Sequence, residues 1–211
     1  MAKQIKVGRR HIIKELRALL PHRALSLGES YTLAEKQANY ALELAGQTEP
    51  DANLGFILEL PRVELQLAPR FKMDRLAGFT TFSRGRYVIT VNKNDSHTRR
   101  RFTLGHEFKH LLDYTAAPVI HRSLGYGDLT RQAQQVETIC NHFAACLLMP
   151  RTWIKRVWVR GVQDVNTLAA LFNVSADAME NRLRFLGYID SDPRPLRMYF
   201  RTTPGVEVMA A

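Results

Sequence analysis

The chain has 211 residues and a net charge of +10, from 30 lysines and arginines against 20 aspartates and glutamates. Hydrophobic residues make up 45% and charged residues 24%, which is the composition of a globular protein and excludes a disulfide-stapled mini-protein. No apolar run is long enough to cross a bilayer, and no apolar segment before Leu19 resembles a signal peptide, so we expect no membrane partner and a cytoplasmic location.

Two helices are predicted in the first quarter of the chain. Apolar residues at helical spacing predict the first over residues 9–20, and Pro21 ends it. Thr32, followed three residues later by Glu35, has the pattern of a capping box and predicts the start of the second. This second helix should end at Gly46.

Three short strands are predicted next. Alternation of apolar and polar residues indicates strands over residues 63–67, 78–82 and 87–91. A short Gly-containing connection predicts that the last two form a hairpin. We therefore expect a small, mainly antiparallel sheet.

Two long helices are predicted in the middle of the chain and two short ones in the tail. Apolar stripes indicate one helix beginning near Arg99 and another over residues 132–148, closed by Pro150. Residues 163–187 have the spacing of a helix-turn-helix, and Ser175 is placed to cap its second helix.

The positive charge bears on nucleic-acid binding. It is concentrated in three clusters: Lys3, Lys6, Arg9, Arg10, Lys14, Arg17 and Arg23; Arg84, Arg86, Lys93, Arg99, Arg100 and Arg101; and Arg151, Lys155, Arg156 and Arg160. No aromatic residues interleave these clusters, which favours a solvated basic face and keeps nucleic-acid contact as the alternative. Asp177 and Glu180 would bring negative charge to the DNA side of the tail, so a packed helical pair is favoured there.

The first central helix carries two histidines one turn apart, His106 and His110. At about 100° per residue both imidazoles project from one face, at a separation suited to a single metal ion, and Glu107 lies beside them. Zinc in a hydrolytic site takes three protein ligands and a water, so a third group is needed. Between Glu107 and Glu180 there is one other glutamate, Glu137.

The second central helix would supply that third group. Glu137 is either a ligand or a solvent-exposed helix residue, and the ligand interpretation is favoured beside the histidine pair. Asn141, one turn further along, could orient a ligand. Cys140 and Cys146 project about 120° apart on one helix, so they cannot pair and are expected to be reduced, buried thiols.

This set of residues predicts zinc-dependent peptide hydrolysis, in which Glu107 accepts the proton of a water molecule. Iron(II) for oxygen activation is the less favoured alternative, because a glutamate adjacent to the first histidine suits proton transfer to water. His121, His142, Tyr114 and Tyr126 are candidates to stabilise an oxyanion, and the sequence does not choose among them.

Four motifs stand together within residues 30–150. They are VITVN at 88–92, RFTL leading into HEFKH, a glutamate and an asparagine four residues apart at 137 and 141, and FAA followed by LLMP at 143–150. In this combination the sequence resembles the ImmA/IrrE metallo-endopeptidases. The resemblance implies an α+β, zincin-like fold with a central HExxH helix, zinc held by His106, His110 and Glu137, and Glu107 as general base.

The resemblance also implies a substrate class, namely a helix-turn-helix repressor or antitoxin whose cleavage relieves transcriptional repression. In zincin-like folds an edge strand beside the metal-binding helix pairs with the substrate, and we expect residues 87–91 to be that strand. Lys109 stands where the family commonly has glycine, and Ile139 and Cys140 stand where glutamate and alanine are common. These departures lie outside the implied ligand set.

We expect three parts: a basic N-terminal helix and loop over residues 1–29, a zincin-like metallopeptidase domain over 30–150, and a helical, helix-turn-helix-like tail over 151–211. The leading hypothesis is an intracellular endopeptidase with one zinc per chain that acts on a regulatory protein. The alternative is a DNA-associated regulator with a structural or vestigial metal site. The two differ in whether function requires Glu107.

Overall fold

The computed structural model describes residues 11–73 and 76–190, and these ranges form an α+β fold, as the sequence predicts. The α-helices are α1 Ile12–Ala18, α2 Leu27–Leu44, α3 Gly55–Leu58, α4 His97–Asp113, α5 Ala117–Ile120, α6 Leu129–Leu148, α7 Arg151–Trp158, α8 Val165–Phe172 and α9 Ala176–Leu186. The strands are β1 Val63–Ala68, β2 Gly78–Ser83 and β3 Arg86–Asn92. Among the described residues, none of these helices has the length and apolar character of a membrane span.

The second helix begins earlier than the sequence predicts. The first predicted helix is present as α1, although residues 9 and 10 lie outside the described part of the chain. The N-cap of α2 is Ser26, whose side chain accepts from the backbone N–H of Glu29 while the Glu29 carboxylate accepts from that of Ser26. Thr32 is inside the helix, where its hydroxyl donates to the carbonyl of Gly28. The prediction of a capping box at Thr32 is therefore wrong, because an earlier box starts the helix.

The sheet is mixed, with the order β1-β3-β2. The predicted hairpin is present: β2 and β3 are antiparallel, and Arg84 and Gly85 turn between them with φ of 50° and 74°. However, β1 runs parallel to β3, so the sheet is not mainly antiparallel. Strand β3 buries most of its side chains whereas β1 and β2 expose theirs, which accounts for β3 occupying the centre.

Helix α4 is packed between the sheet and α6. Its N-cap is Ser96, and Gly105 brings its backbone close to α6, where an added Cβ would lie 3.4 Å from that of Ala144. Helix α2 covers another face of α6. Pro150 ends α6 and is also the N-cap residue of α7, a helix that was not predicted from the sequence. These contacts place the two predicted site helices side by side.

The tail helices α8 and α9 are packed on the body of the protein. Asn173, with φ of 52°, makes the turn after α8, and Ser175 caps α9 as predicted. Both helices bury apolar side chains in the main hydrophobic cluster, namely Leu168, Ala169, Phe172, Met179 and Leu183. Residues 191–211, the last part of the predicted tail, lie outside the described residues.

Candidate metal centre

The structure brings the two histidines of α4 and the glutamate of α6 together. The Nε2 atoms of His106 and His110 are 3.1 Å apart. The Glu137 carboxylate completes a triangle, with Oε2 lying 3.2 Å from His106 Nε2 and Oε1 lying 3.3 Å from His110 Nε2. The predicted ligand atoms therefore converge on one point.

The spacing of these atoms fits zinc. With zinc–nitrogen and zinc–oxygen bonds of about 2.0–2.1 Å, ligands at tetrahedral angles lie roughly 3.3 Å from one another. The three separations of 3.1, 3.2 and 3.3 Å agree with that value. Two imidazole nitrogens and one carboxylate are also a donor set typical of catalytic zinc, which keeps a further position for water.

Asn141 orients the first histidine. Its Oδ1 lies 2.8 Å from His106 Nδ1, so that nitrogen carries the proton and donates to the amide oxygen. The lone pair of His106 is then on Nε2, the atom that faces Glu137. Such a partner raises the basicity of a ligating imidazole and holds its ring in place.

The charges at this point favour a bound cation. Burial opposes ionisation of Glu137, but the imidazoles of His106 and His110 beside it outweigh that effect and lower the pKa of the carboxyl, so it is a carboxylate at neutral pH. Burial likewise opposes a charge on His110, yet Cys140, Glu137 and Glu107 raise the pKa of its imidazole above the ordinary value.

The side chain of Glu107, on α4, contacts strand β2. The hydroxyl of Thr80 is 2.9 Å from Glu107 Oε2 and 3.2 Å from its backbone carbonyl oxygen, so Thr80 holds the carboxylate by a donated hydrogen bond. Gly78 permits this contact, because a Cβ there would lie 2.4 Å from Thr103 and 3.3 Å from the Cγ of Glu107. Thr80 and Gly78 were not predicted as site residues, because nothing in the local sequence shows which strand packs on α4.

Two departures from the family pattern have different surroundings. Lys109 is buried and donates to Gln37 of α2 and to Asp113, so it joins α2 to α4. Cys140 is buried beside the histidines, with its sulfur within 4.8 Å of ligand nitrogens of both His106 and His110. Burial raises the pKa of this thiol, so it is neutral in the metal-free protein. Both cysteines are free and buried, as predicted.

The four oxyanion candidates are widely distributed. His121 pairs with Asp113 at 3.4 Å, and His142 lies 3.4 Å from Cys146, so both have partners outside the triangle. Tyr126 is 83% exposed and stacks with Arg131. Tyr114, the C-cap residue that follows α4, contacts the rings of Phe82 and Tyr87.

The prediction that residues 87–91 form the substrate-facing edge strand is wrong. Strand β3 has β1 on one side and β2 on the other, so both of its backbone edges are hydrogen-bonded within the sheet. The strand beside Glu107 that has an unpaired edge among the described residues is β2. The burial of β3 explains the difference, because an edge strand is normally more polar than this one.

The arginine run in the first turns of α4 is partly neutralised. Arg101 has a largely buried side chain that pairs with Asp51 at 2.9 Å, and Arg99 pairs with Asp95 at 3.0 Å. Arg84 and Arg86, at the hairpin between β2 and β3, are exposed. The exposed positive charge nearest to β2 is therefore on the hairpin. Lys3, Lys6, Arg9 and Arg10 lie outside the described residues.

A comparison with protein-family models identifies the family of the chain. The family model described as the IrrE N-terminal-like domain of the M78 peptidases matches residues 66–184, which include all of the triangle and Glu107. The chain belongs to this family. Its α+β fold and its HExxH helix are thus those of an M78 peptidase-like domain, as the resemblance in the sequence implies.

The similarity to solved structures concerns the fold. A Mycobacterium tuberculosis transcriptional regulator superimposes with a TM-score of 0.55 and 15% sequence identity, over 87% of this chain and 53% of the regulator. The chain therefore spans about half the length of that protein. A comparison with curated protein sequences finds no match.

Proposed function

We propose that this protein is a zinc-dependent endopeptidase that cleaves a regulatory protein. The observation that carries the proposal is the convergence of His106, His110 and Glu137 within 3.3 Å of one another, with Glu107 adjacent on the same helix. Membership of a peptidase family supports it. One zinc per chain is the cofactor that this donor set fits.

The residues divide the chemistry between them. Zinc bound by the triangle would supply a Lewis acid that polarises the scissile carbonyl and makes water more acidic. Glu107 accepts the proton of the attacking water and transfers it to the leaving amine. Thr80 keeps the Glu107 carboxylate in one orientation, and Asn141 does the same for His106.

The substrate backbone is proposed to pair with the free edge of β2. An extended peptide added there would run past Glu107, because Thr80 in the middle of β2 contacts that carboxylate. The substrate class is the one implied by the family resemblance, a helix-turn-helix repressor or antitoxin. Cleavage of such a protein would relieve repression.

The test is cleavage of a purified helix-turn-helix repressor encoded beside the gene, followed by mass spectrometry. We expect cleavage by the zinc-loaded protein, none in excess chelator, and a loss of about 10²- to 10⁴-fold in rate for Glu107→Gln with zinc retained, because an amide cannot accept the proton. Glu43→Gln makes the same chemical change at an exposed position of α2 and should leave the rate unchanged. Undiminished cleavage by Glu107→Gln would contradict the mechanism.

A DNA-associated regulator is the second candidate. The turn at Asn173 between α8 and α9 resembles that of a helix-turn-helix, and the similar solved structure is a transcriptional regulator. Against it, Met179, Arg182 and Leu183 bury one face of α9, and Glu180 pairs with Arg184. A regulator of this kind should tolerate Glu107→Gln, so the same variant distinguishes the two functions.

A further inference from the structure

A second group of metal-ligating side chains lies outside the candidate catalytic centre. His142 and Cys146 are one turn apart on α6, and Glu35 faces them from α2. One ligand atom of each lies within 4.8 Å of the other two. His142 and Cys146 lie within the matched residues 66–184, but the proposed peptidase chemistry uses none of the three residues.

The arrangement of the histidine and cysteine is that of a chelate. Cys146 Sγ is 3.4 Å from His142 Nε2. With a zinc–sulfur bond of about 2.3 Å and a zinc–nitrogen bond of about 2.0 Å, tetrahedral ligands would have sulfur and nitrogen roughly 3.5 Å apart. The rings of Tyr31 and Phe185 contact the imidazole, with centroids 4.8 and 4.9 Å away, and restrict its orientation.

A buried arginine beside the cluster has donors without acceptors. The Arg182 side chain is 1% exposed, its Nε donates to the carbonyl of Met149, and neither Nη atom has a hydrogen-bond acceptor among the described residues. The nearest carboxylate oxygen, on Glu35, is 3.9 Å from Nη2. A thiolate at Cys146 would give this guanidinium a charged acceptor.

The charges restrict the kind of metal. Two arginine cations lie beside the cluster, Arg182 and also Arg151, whose Nε is 3.5 Å from Glu35 Oε1. Both repel a bare dication, so binding requires ligands that carry two negative charges. The Glu35 carboxylate supplies one, and Cys146 supplies the other when its sulfur binds the metal and its proton passes to the solvent. A thiolate and an imidazole prefer zinc, cobalt and cadmium over magnesium or calcium.

We propose that Glu35, His142 and Cys146 form a second zinc site, in which a water molecule would take the fourth position. Because Arg182 and Phe185 belong to α9, a metal bound here would couple the tail to α2 and α6. The inference does not depend on peptidase activity.

The test is a Co²⁺ titration of the metal-stripped, full-length protein, with bound ions counted by elemental analysis and thiolate ligation read from the near-ultraviolet charge-transfer band. We expect two ions and a band for the unaltered chain. Because the Cys140 sulfur lies beside His106 and His110, every variant carries Cys140→Ser, so that Cys146 is the one thiol that can give the band. In this background Cys146→Ser should bind one ion without the band, whereas the background itself should keep two ions and the band. His106→Ala should lose one ion and keep the band.

Retention of the band in Cys146→Ser would overturn the proposal, as would a single ion in the unaltered chain. If circular dichroism shows that Cys146→Ser is unfolded, His142→Asn gives an independent readout. We expect it to weaken the band-producing ion at least tenfold, since one ligand nitrogen is lost from this site, and an unchanged affinity would overturn the proposal. A loss of peptidase activity alone would bear only on the proposed function, because the Co²⁺ titration measures bound metal and not catalysis.

Discussion

Replacement of Asn141 by leucine should weaken zinc binding without removing any ligand. Leucine has nearly the same shape but cannot accept the hydrogen bond from His106 Nδ1, which is 2.8 Å long in the structure. The loss of one hydrogen bond and the exposure of a buried N–H donor to an apolar group together cost about 2 kcal/mol. That energy corresponds to a rise in the zinc dissociation constant of roughly 30-fold, within the range seen for such ligand-orienting groups.

The assay is competition for zinc between the full-length protein and a chromophoric chelator at neutral pH. Asn141→Asp retains an acceptor at the same position and should bind zinc more tightly than Asn141→Leu. Gln134→Leu makes the leucine substitution at an exposed position of α6 and should leave the affinity unchanged. Equal affinities for Asn141→Leu and the unaltered chain would refute the role of Asn141, provided that circular dichroism shows both to be folded.

Three further predictions concern the metal, the buried ion pair and the surface charge. Glu137→Ala and His106→Ala should each leave the catalytic centre without tightly bound zinc, and elemental analysis showing an undiminished content would contradict the proposed ligand set. Lys109→Met leaves Asp113 buried without the Lys109 ammonium, which is 2.6 Å away, and should lower the free energy of unfolding by about 3–5 kcal/mol in urea denaturation. The double variant with Asp113→Asn should recover much of that loss, because the uncompensated charge is removed. Burial opposes the charge on Asp113, but Lys109 and His121 outweigh it and lower the pKa of this carboxyl. The stabilisation by the Lys109–Asp113 ion pair should therefore be complete above the unfolded-state pKa of about 3.9, and it should decline as the pH falls through the lower folded-state pKa. Raising the salt from about 50 to 300 mM should weaken substrate capture more than it slows the cleavage step, because salt screens the exposed charges of Arg84 and Arg86. Single-turnover kinetics at several salt concentrations measures the two steps separately. Salt-insensitive capture together with tight, salt-sensitive DNA binding would instead assign this charge to nucleic acid.

Local sequence patterns were sufficient for the helices of the candidate centre. The separation of four residues between His106 and His110 puts both on one side of any α-helix, and the apolar stripe of residues 132–148 predicts the partner helix on which Glu137 lies. The hairpin followed from alternation and Gly85. In each case the information lies within a few residues of the chain, because helical and strand periodicities are properties of the backbone itself.

The tertiary structure alone decided which elements are neighbours. Strand β3 became central and parallel to β1, β2 became the strand beside Glu107, and Thr80 thereby reached the carboxylate. The closeness of Glu35 to Cys146 was likewise decided by packing, because the two residues lie on different helices. Periodicity shows which face of an element is apolar but not which other face covers it, since that choice depends on how all the faces pack into one core. The sequence thus determined the ligand-bearing helices, and packing determined the groups that surround them.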